Sequence, residues 1–270
     1  MIESDAKTIV ITGASGGIGR AILETYAKEN VALYLTANSG ADALRRELSQ
    51  RQDAPSLAAA RVFQADFGRP GAASALFDEI SQTLRRDQRR ETPRINALVC
   101  AAGIDLMTPE SKSLDFDARL ERAWRIDVAA ATTLARAVGD AMRAYRREED
   151  APQDYDPSVV LFSWDGVARG MKGDSAQIYS ACKGAVAAFA RSLARSLAPD
   201  VRVNTVAPGW IMTTWAEKAP KETIARHAAE SLLNRWGRPK EVAGVVRFLT
   251  SRDAAYVNGQ MLEVNGGRDG

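Results

Sequence analysis

The sequence is poor in the residues that build disulfide frameworks and metal sites. Its 270 residues include only two cysteines, Cys100 and Cys182, and a single histidine, His227. No metal site is predicted from so few ligands. One disulfide stays possible, but a chain of this length can bury a core without it, and reduced thiols are the favoured interpretation. His227 lies in a mixed polar segment and is interpreted as a solvated or partly packed residue.

Strong charge of one sign and long apolar runs are also lacking. The formal net charge is +2, so an attraction to nucleic acid or to an anionic membrane is not indicated. No stretch reaches the ~18 apolar residues of a membrane span. The first residues, MIESDAKTIVITG, are acidic and do not have the pattern of a signal peptide. We therefore expect a cytoplasmic protein that binds neither nucleic acid nor membrane.

Short β-branched runs alternate with longer segments of helical periodicity. This order predicts an α/β fold with right-handed crossovers, a Rossmann-type doubly wound parallel sheet with helices on both faces. No linker is long enough to divide the chain, so residues 1–270 are predicted to form a single domain. The predicted strands are 8–13, 32–37, 60–66, 95–103, 158–163, 201–209 and 260–267, and the main helical segments are 19–30, 40–51, 71–86, 114–149, the SAQIYSACKGAVAAFARSLA segment and 240–251.

A glycine-rich turn, TGASGGIG (12–19), follows the first predicted strand and opens the first helix. A pyrophosphate needs a backbone that it can approach closely and a helix N-terminus with free N–H groups. Glycine permits both the close approach and the unusual dihedral angles of such a turn. The spacing is GxxxGxG rather than GxGxxG. A tight turn without a ligand is the alternative, but the position between strand and helix favours a nucleotide site.

Together with other motifs, this turn resembles the short-chain dehydrogenase/reductase family, in the branch similar to 3-oxoacyl-carrier-protein reductases. The resemblance extends from residue 8 to residue 267. It includes CAAG (100–103) in place of the family's NNAG, the YxxxK motif at Tyr179 and Lys183, the segment RVNTVAPGWIMT (202–213) and a C-terminal signature ending in NGG. The resemblance implies an NAD(P)-dependent oxidoreductase that transfers a hydride between nicotinamide and a carbonyl or secondary alcohol. It also implies a homodimer or homotetramer.

Tyr179 and Lys183 are four residues apart, so on a helix they share one face. Carbonyl reduction needs a proton for the developing alkoxide, and a free tyrosine, with a pKa near ~10, is a poor base for the reverse reaction. A nearby ammonium lowers that pKa. The resemblance implies that Tyr179 is the acid/base, and that Lys183 lowers its pKa and holds the nicotinamide ribose.

Two neighbours of this pair depart from the family pattern. The family serine lies thirteen residues before the tyrosine, where this chain has Gly166. We expect Ser163 to fill the role through a longer loop. Ser175 is the second candidate, and another register places Trp164 there. An ungapped match places Asp127 at the family's asparagine. We expect Asp127 to keep the hydrogen-bonding role and to raise the pKa of Tyr179 by its charge.

Cofactor preference normally depends on the end of the second strand, where an acidic residue would bind the ribose 2′-OH. This chain has Asn38 and Ser39 there, with Asp42 the nearest acid, which favours NADP(H) over NAD(H). Arg45 and Arg46 are assigned to the helix surface. The residues that the resemblance implies for cofactor binding are Gly13, Ser15, Gly17, Ile18, Gly19, Asn38, Ser39, Asp66, Phe67, Ala101, Ala102, Gly103, Tyr179, Lys183, Pro208, Gly209, Ile211 and Thr213.

Residues 210–236 are predicted to form a lid over a small-molecule substrate. Its Trp210, Trp215 and Trp236 either line an apolar pocket or pack the lid itself. Two alternatives to the oxidoreductase are kept. One is a cofactor-binding sensor or scaffold of the same fold with little redox turnover, and the other is non-redox chemistry such as dehalogenation or dehydration.

Overall fold

One sheet contains all the named strands of the computed structural model, which describes residues 6–51, 53–214, 216 and 219–268. Every strand pairing is parallel, and the order is β3-β2-β1-β4-β5-β6-β7. The strands are β1 (Lys7–Thr12), β2 (Val31–Ala37), β3 (Arg61–Gln64), β4 (Ala97–Cys100), β5 (Ser158–Phe162), β6 (Arg202–Pro208) and β7 (Met261–Val264). The predicted doubly wound parallel sheet is therefore confirmed.

Helices cover both faces of this sheet. They are α1 (Gly17–Thr25), α2 (Ala41–Ser49), α3 (Pro55–Ala58), α4 (Ala72–Gln88), α5 (Pro109–Lys112), α6 (Phe116–Ala123), α7 (Ala130–Arg146), α8 (Asp174–Leu197), α9 (Lys221–Ala228) and α10 (Pro239–Leu249). Between α6 and α7 the chain forms a π-helical turn, Trp124–Ala129. Short 3₁₀ turns cover Asp165–Val167 and Arg252–Ala254.

Four of the named strands are buried along their whole length because helices cover both faces of the sheet. All residues of β2, β4, β5 and β6 are buried, as expected for a parallel sheet between two helical layers. One core cluster joins the sheet to α4, α7 and α8. The other joins its opposite face to α1, α2 and α10.

The direction of strand addition reverses at β1. The chain adds β2 and β3 on one side of β1 and then returns to add β4 to β7 on the other side. Ligands of such sheets bind beyond the carboxyl ends of the strands at this reversal. The glycine turn follows β1 and therefore lies at this point of the fold.

The single helical region predicted at 114–149 is three elements in the structure. The α6 helix ends at Ala123, the π-helical turn follows, and α7 ends at Arg146. A π turn places an extra residue in one helical turn and is frequent at functional sites. Asp127, the residue expected to replace the family asparagine, lies within it.

Cys100 and Cys182 are both free and buried, so no disulfide joins them. Across the described parts of the chain, no helix is long and apolar enough to span a bilayer. The same residues contain no group of three or more histidine, cysteine, aspartate or glutamate side chains arranged to hold a metal ion.

Candidate active site

The glycine turn packs directly on the loop that follows β4. Gly13 has a φ of +69°, and a Cβ at this position would lie 2.7 Å from the backbone of Ala102. The Ala102 N–H also donates to Oγ1 of Thr12 at 3.1 Å. Only glycine allows this approach at this backbone conformation. The structure thus joins two of the predicted cofactor motifs, TGASGGIG and CAAG.

The first turn of α1 contains residues predicted to bind the pyrophosphate of a cofactor. Gly16 precedes the helix and provides no side-chain cap, so the first N–H groups are not satisfied by a capping side chain. A Cβ on Gly17 would lie 3.0 Å from Cγ2 of Thr213, and a Cβ on Gly19 would lie 2.1 Å from the carbonyl oxygen of Gly13. Ser15 is exposed and Ile18 is half-buried. The turn therefore brings Thr213, from the loop after β6, to the start of α1.

The end of β2 lies beside the turn, because β2 is paired with β1 in the sheet. Asn38 and Ser39 follow β2 and are exposed. Asp42 pairs with Arg45 at 2.5 Å. The Arg45 guanidinium also donates to the Val62 carbonyl, so Arg45 is held at the edge of β3. No acidic side chain immediately follows β2.

After β3, Asp66 accepts a hydrogen bond from the Gly68 N–H at 3.0 Å. The Phe67 side chain is buried in the core cluster. Pro208, the last residue of β6, is buried, Gly209 after it is half-buried, and Ile211 is buried. Because the side chains of Phe67 and Ile211 pack in the core, their backbone groups are the parts that remain for a ligand.

Helix α8 places Tyr179 and Lys183 on one face. The Lys183 Nζ lies 5.3 Å from the centroid of the Tyr179 ring. Lys183 is buried and Tyr179 is half-buried. Helix α8 also packs against the π-helical turn. The predicted pair is therefore close enough for the ammonium to act on the phenol.

Asp127 forms an ion pair with Lys183, with 3.6 Å between Oδ1 and Nζ. The same Oδ1 accepts a hydrogen bond from the Ile104 N–H at 3.0 Å, and a Cβ on Gly103 would lie 2.9 Å from it. Oδ2 is buried and has no hydrogen-bond partner among the described residues. The carboxylate therefore links the CAAG loop to the lysine.

Tyr179, Lys183 and Asp127 shift one another's pKa. Burial raises the pKa of Tyr179, Lys183 lowers it, and Asp127 raises it again. Burial also raises the pKa of Asp127, although Lys183 opposes this. For Lys183, burial favours the neutral amine, but Asp127 and Tyr179 outweigh it and raise its pKa. Asp127 therefore keeps Lys183 charged and opposes ionisation of the phenol.

The Ser163 hydroxyl is buried and donates to the carbonyl oxygen of Lys183 at 3.0 Å. The neighbour of the Tyr179 ring is instead Trp164, with ring centroids 5.5 Å apart and planes at 67°. Ser175 accepts a hydrogen bond from Arg119. The catalytic role of Ser163 stays a prediction, and in this structure its hydroxyl is engaged with the backbone of α8.

Trp210 and Trp236, in the segment predicted to form a lid, pack on each other. The Trp210 ring lies 4.0 Å from the His227 ring and 5.1 Å from the Trp236 ring, centroid to centroid. Trp236 donates from Nε1 to the Ile224 carbonyl. Trp210 and Trp236 thus help to pack the segment, while Trp215 lies outside the described residues.

Sequence reasoning missed one group of residues beside the site. Arg268 is buried and forms an ion pair with Asp165, the residue after Trp164. A charged residue next to a buried strand gives a weak signal, and its partner is 103 residues away in the chain.

Comparisons with known proteins agree with this geometry. A protein-family model described as enoyl-(acyl carrier protein) reductase matches residues 13–269. The uncharacterized oxidoreductase YmfI of Bacillus subtilis is 34% identical over 272 residues, which cover 97% of this chain and 98% of that protein. The 3-oxoacyl-[acyl-carrier-protein] reductase FabG of Escherichia coli is 30% identical over 269 residues, 97% of each chain.

Solved structures share the fold over nearly the whole chain. A short-chain dehydrogenase/reductase described as glucose/ribitol dehydrogenase from Brucella melitensis is 30% identical with a TM-score of 0.76, covering 98% of this chain and 97% of that one. A 3-oxoacyl-[acyl-carrier protein] reductase with bound NAD from the same organism is 25% identical with a TM-score of 0.75, covering 98% and 92%. The glycine turn, the YxxxK helix and this similarity over the full fold together show that the chain is an oxidoreductase of the short-chain dehydrogenase/reductase family.

Proposed function

We propose that the protein transfers a hydride between a nicotinamide cofactor and a carbonyl or secondary alcohol, with Tyr179 as the acid/base. The observation that carries this proposal is the contact group Tyr179–Lys183–Asp127, joined through Gly103 to the glycine turn after β1. The predicted proton-transfer group and the glycine turn therefore lie at one edge of the sheet, which supports this proposal. A ligand bound across that edge would contact both.

The glycine turn fits the pyrophosphate of a dinucleotide. The positive φ of Gly13 and the close contacts at Gly17 and Gly19 leave no room for side chains, while α1 lacks a side-chain cap. When bound, a nicotinamide cofactor supplies the hydride donor or acceptor. The bound NAD of the 25% identical reductase supports a cofactor of this class.

In the reductive direction, Tyr179 donates its phenolic proton to the oxygen that develops negative charge. Lys183 stabilises the phenolate that remains, because its ammonium lies 5.3 Å from the ring centroid. In the oxidative direction, the phenolate accepts the alcohol proton. Asp127 keeps the buried ammonium charged, which is needed in both directions.

We assign NADP(H) as the preferred cofactor. The residues after β2, Asn38 and Ser39, are exposed and uncharged, so nothing there repels a 2′-phosphate. Asp42 is paired with Arg45, which lowers its ability to bind a ribose hydroxyl. Isothermal titration with NADPH and NADH tests the assignment, and a lower Kd for NADH would contradict it.

The reaction is tested by following nicotinamide absorbance with a panel of ketones and alcohols. Tyr179→Phe should lower kcat on the order of 100-fold or more, because it removes only the proton donor. Tyr256→Phe is the matched control, since Tyr256 is fully exposed. Undiminished turnover in Tyr179→Phe would refute the mechanism. Cofactor binding without turnover across the panel would favour the sensor or scaffold alternative.

A further inference from the structure

Arg268 connects two parts of the molecule that are far apart in sequence. It follows β7 and is buried. Its Nη1 lies 3.3 Å from both carboxylate oxygens of Asp165, and its Nε lies 2.9 Å from Oε2 of Glu230. A buried guanidinium that pairs with two carboxylates is held firmly in place, because the two ion pairs offset the cost of removing its charge from water.

The Asp165 end of this bridge holds the residue that contacts Tyr179. Asp165 has a fully buried side chain and directly follows Trp164. Trp164 needs the space that Gly166 leaves, since a Cβ at 166 would lie 2.5 Å from Cζ2 of the indole. The Asp165 carbonyl is also bound, by Arg169 Nη1 at 2.6 Å. Asp165 therefore fixes the loop that places the indole against the phenol.

The Glu230 end holds the segment predicted to cover the substrate. Glu230 lies two residues after α9, accepts a hydrogen bond from Trp210 Nε1 at 3.3 Å, and lies 2.7 Å from His227 Nδ1. Helix α9 itself has no buried residue. Its position therefore depends on polar and aromatic contacts rather than on an apolar face. These include the contacts around Glu230 and the hydrogen bond from Trp236 Nε1 to the Ile224 carbonyl.

The two ends differ in their exposure to water. The side chain of Asp165 is 0% exposed, whereas that of Glu230 is 32% exposed. Water weakens the second ion pair much more than the first. The Glu230 contact is consequently the weaker of the two ends of the bridge.

We propose that Arg268 is a positioning residue that holds Trp164 against Tyr179 through Asp165 and docks the α9 segment through Glu230. This inference rests on the proposed function, because the α9 segment is taken to cover the carbonyl substrate. It assigns separate effects to the two ends of the bridge. Loss of the Asp165 contact impairs the chemical step, and loss of the Glu230 contact impairs substrate retention.

Four variants of the full-length protein separate these effects. Glu230→Gln removes the charge that faces Arg268 and His227 but leaves the Asp165 pair intact. It should raise KM for the carbonyl substrate roughly two- to fivefold, with kcat nearly unchanged. Arg268→Met cuts both ion pairs and should also lower kcat about tenfold or more. Arg268→Lys keeps a positive charge beside Asp165, but a lysine cannot reach both carboxylates as the guanidinium does. Its kcat should therefore be close to that of the wild type, while its KM should stay raised as in Arg268→Met. Arg252→Met, at an exposed arginine 3.9 Å from Asp154, is the control.

Limited trypsin digestion supplies a readout that does not depend on turnover. Lys221 and Arg226 are exposed sites in α9. Cleavage there should be faster in Glu230→Gln and Arg268→Met than in Arg252→Met. The proposal is overturned if Glu230→Gln matches the control in KM or in cleavage rate, or if Arg268→Lys is as slow as Arg268→Met. A wild-type protein without turnover would refute the proposed function, while the digestion would still test the docking of α9.

Discussion

Gly19→Ala is the most direct test of the glycine turn as a cofactor site. Gly19 lies in the first turn of α1 with an ordinary backbone conformation, so alanine meets no dihedral strain there. Helix propensity alone predicts that alanine stabilises the helix by ~1 kcal/mol. The structure predicts the opposite sign, because a Cβ at this position would lie 2.1 Å from the Gly13 carbonyl oxygen.

The size of the effect follows from that distance. Real Cβ atoms essentially never approach another atom closer than 3.0 Å, so the two atoms must separate by about 0.9 Å, a strain that typically costs about 1–3 kcal/mol. Gly13 cannot absorb the shift freely, since it is itself packed on Ala102. A displacement of ~1 Å in a positioning element lowers kcat/KM on the order of 100-fold, which equals about 2.7 kcal/mol in activation free energy.

The matched control is Gly244→Ala in the exposed part of α10, where an added Cβ meets nothing within 4 Å. Urea unfolding should show this control stabilised and Gly19→Ala destabilised. Titration with NADPH should show a Kd at least about tenfold higher for Gly19→Ala, a change of 1.4 kcal/mol in binding free energy. If Gly19→Ala instead matches Gly244→Ala in stability and binds the cofactor as wild type does, the steric reasoning is refuted.

Three further predictions concern charge. Because Asp127 raises the pKa of Tyr179, Asp127→Asn should let alcohol oxidation, which needs the phenolate, reach its plateau at lower pH. Carbonyl reduction should fall off at correspondingly lower pH, and unchanged pH–rate profiles would argue against the coupling. Ser39→Asp should raise the Kd for NADPH about tenfold by charge repulsion and leave NADH binding intact, and a uniform loss of both would contradict the assignment. Arg202→Met should lower the free energy of unfolding by about 3 kcal/mol, since the buried guanidinium binds Asp156 at 2.9 Å, and a urea-derived loss below ~1 kcal/mol would disprove this.

Much of the fold could be predicted because the signals are local. Apolar β-branched runs predict the buried strands of a parallel sheet, and all seven predicted strands correspond to strands of the structure. The glycine spacing predicted a tight turn between β1 and α1, and the contacts of Gly13 and Gly19 explain why glycine is required. The four-residue spacing of Tyr179 and Lys183 placed both side chains on one helical face, as the structure has them.

The surroundings of the dyad could not be predicted in the same way. The π-helical turn that carries Asp127 differs from an α-helix by one residue in a turn, which apolar periodicity does not resolve. Whether Ser163 or Trp164 faces Tyr179 depends on how the chain leaves β5. That exit is fixed by Arg268, more than a hundred residues further on.

The sequence by itself determined the strand–helix order, the glycine turn, the tyrosine–lysine spacing and the resemblance to an oxidoreductase family, since each of these depends on residues that are close together in the chain. Only the tertiary structure decided that Asp127 pairs with Lys183, that Trp164 contacts Tyr179, and that Arg268 joins Asp165 to Glu230. These are contacts between segments brought together by the closing of the sheet and its helices. Opposite charges pair there because burying an unpaired charge is costly. This requirement concerns residues that are distant in the chain, so it produces no periodic pattern in the sequence.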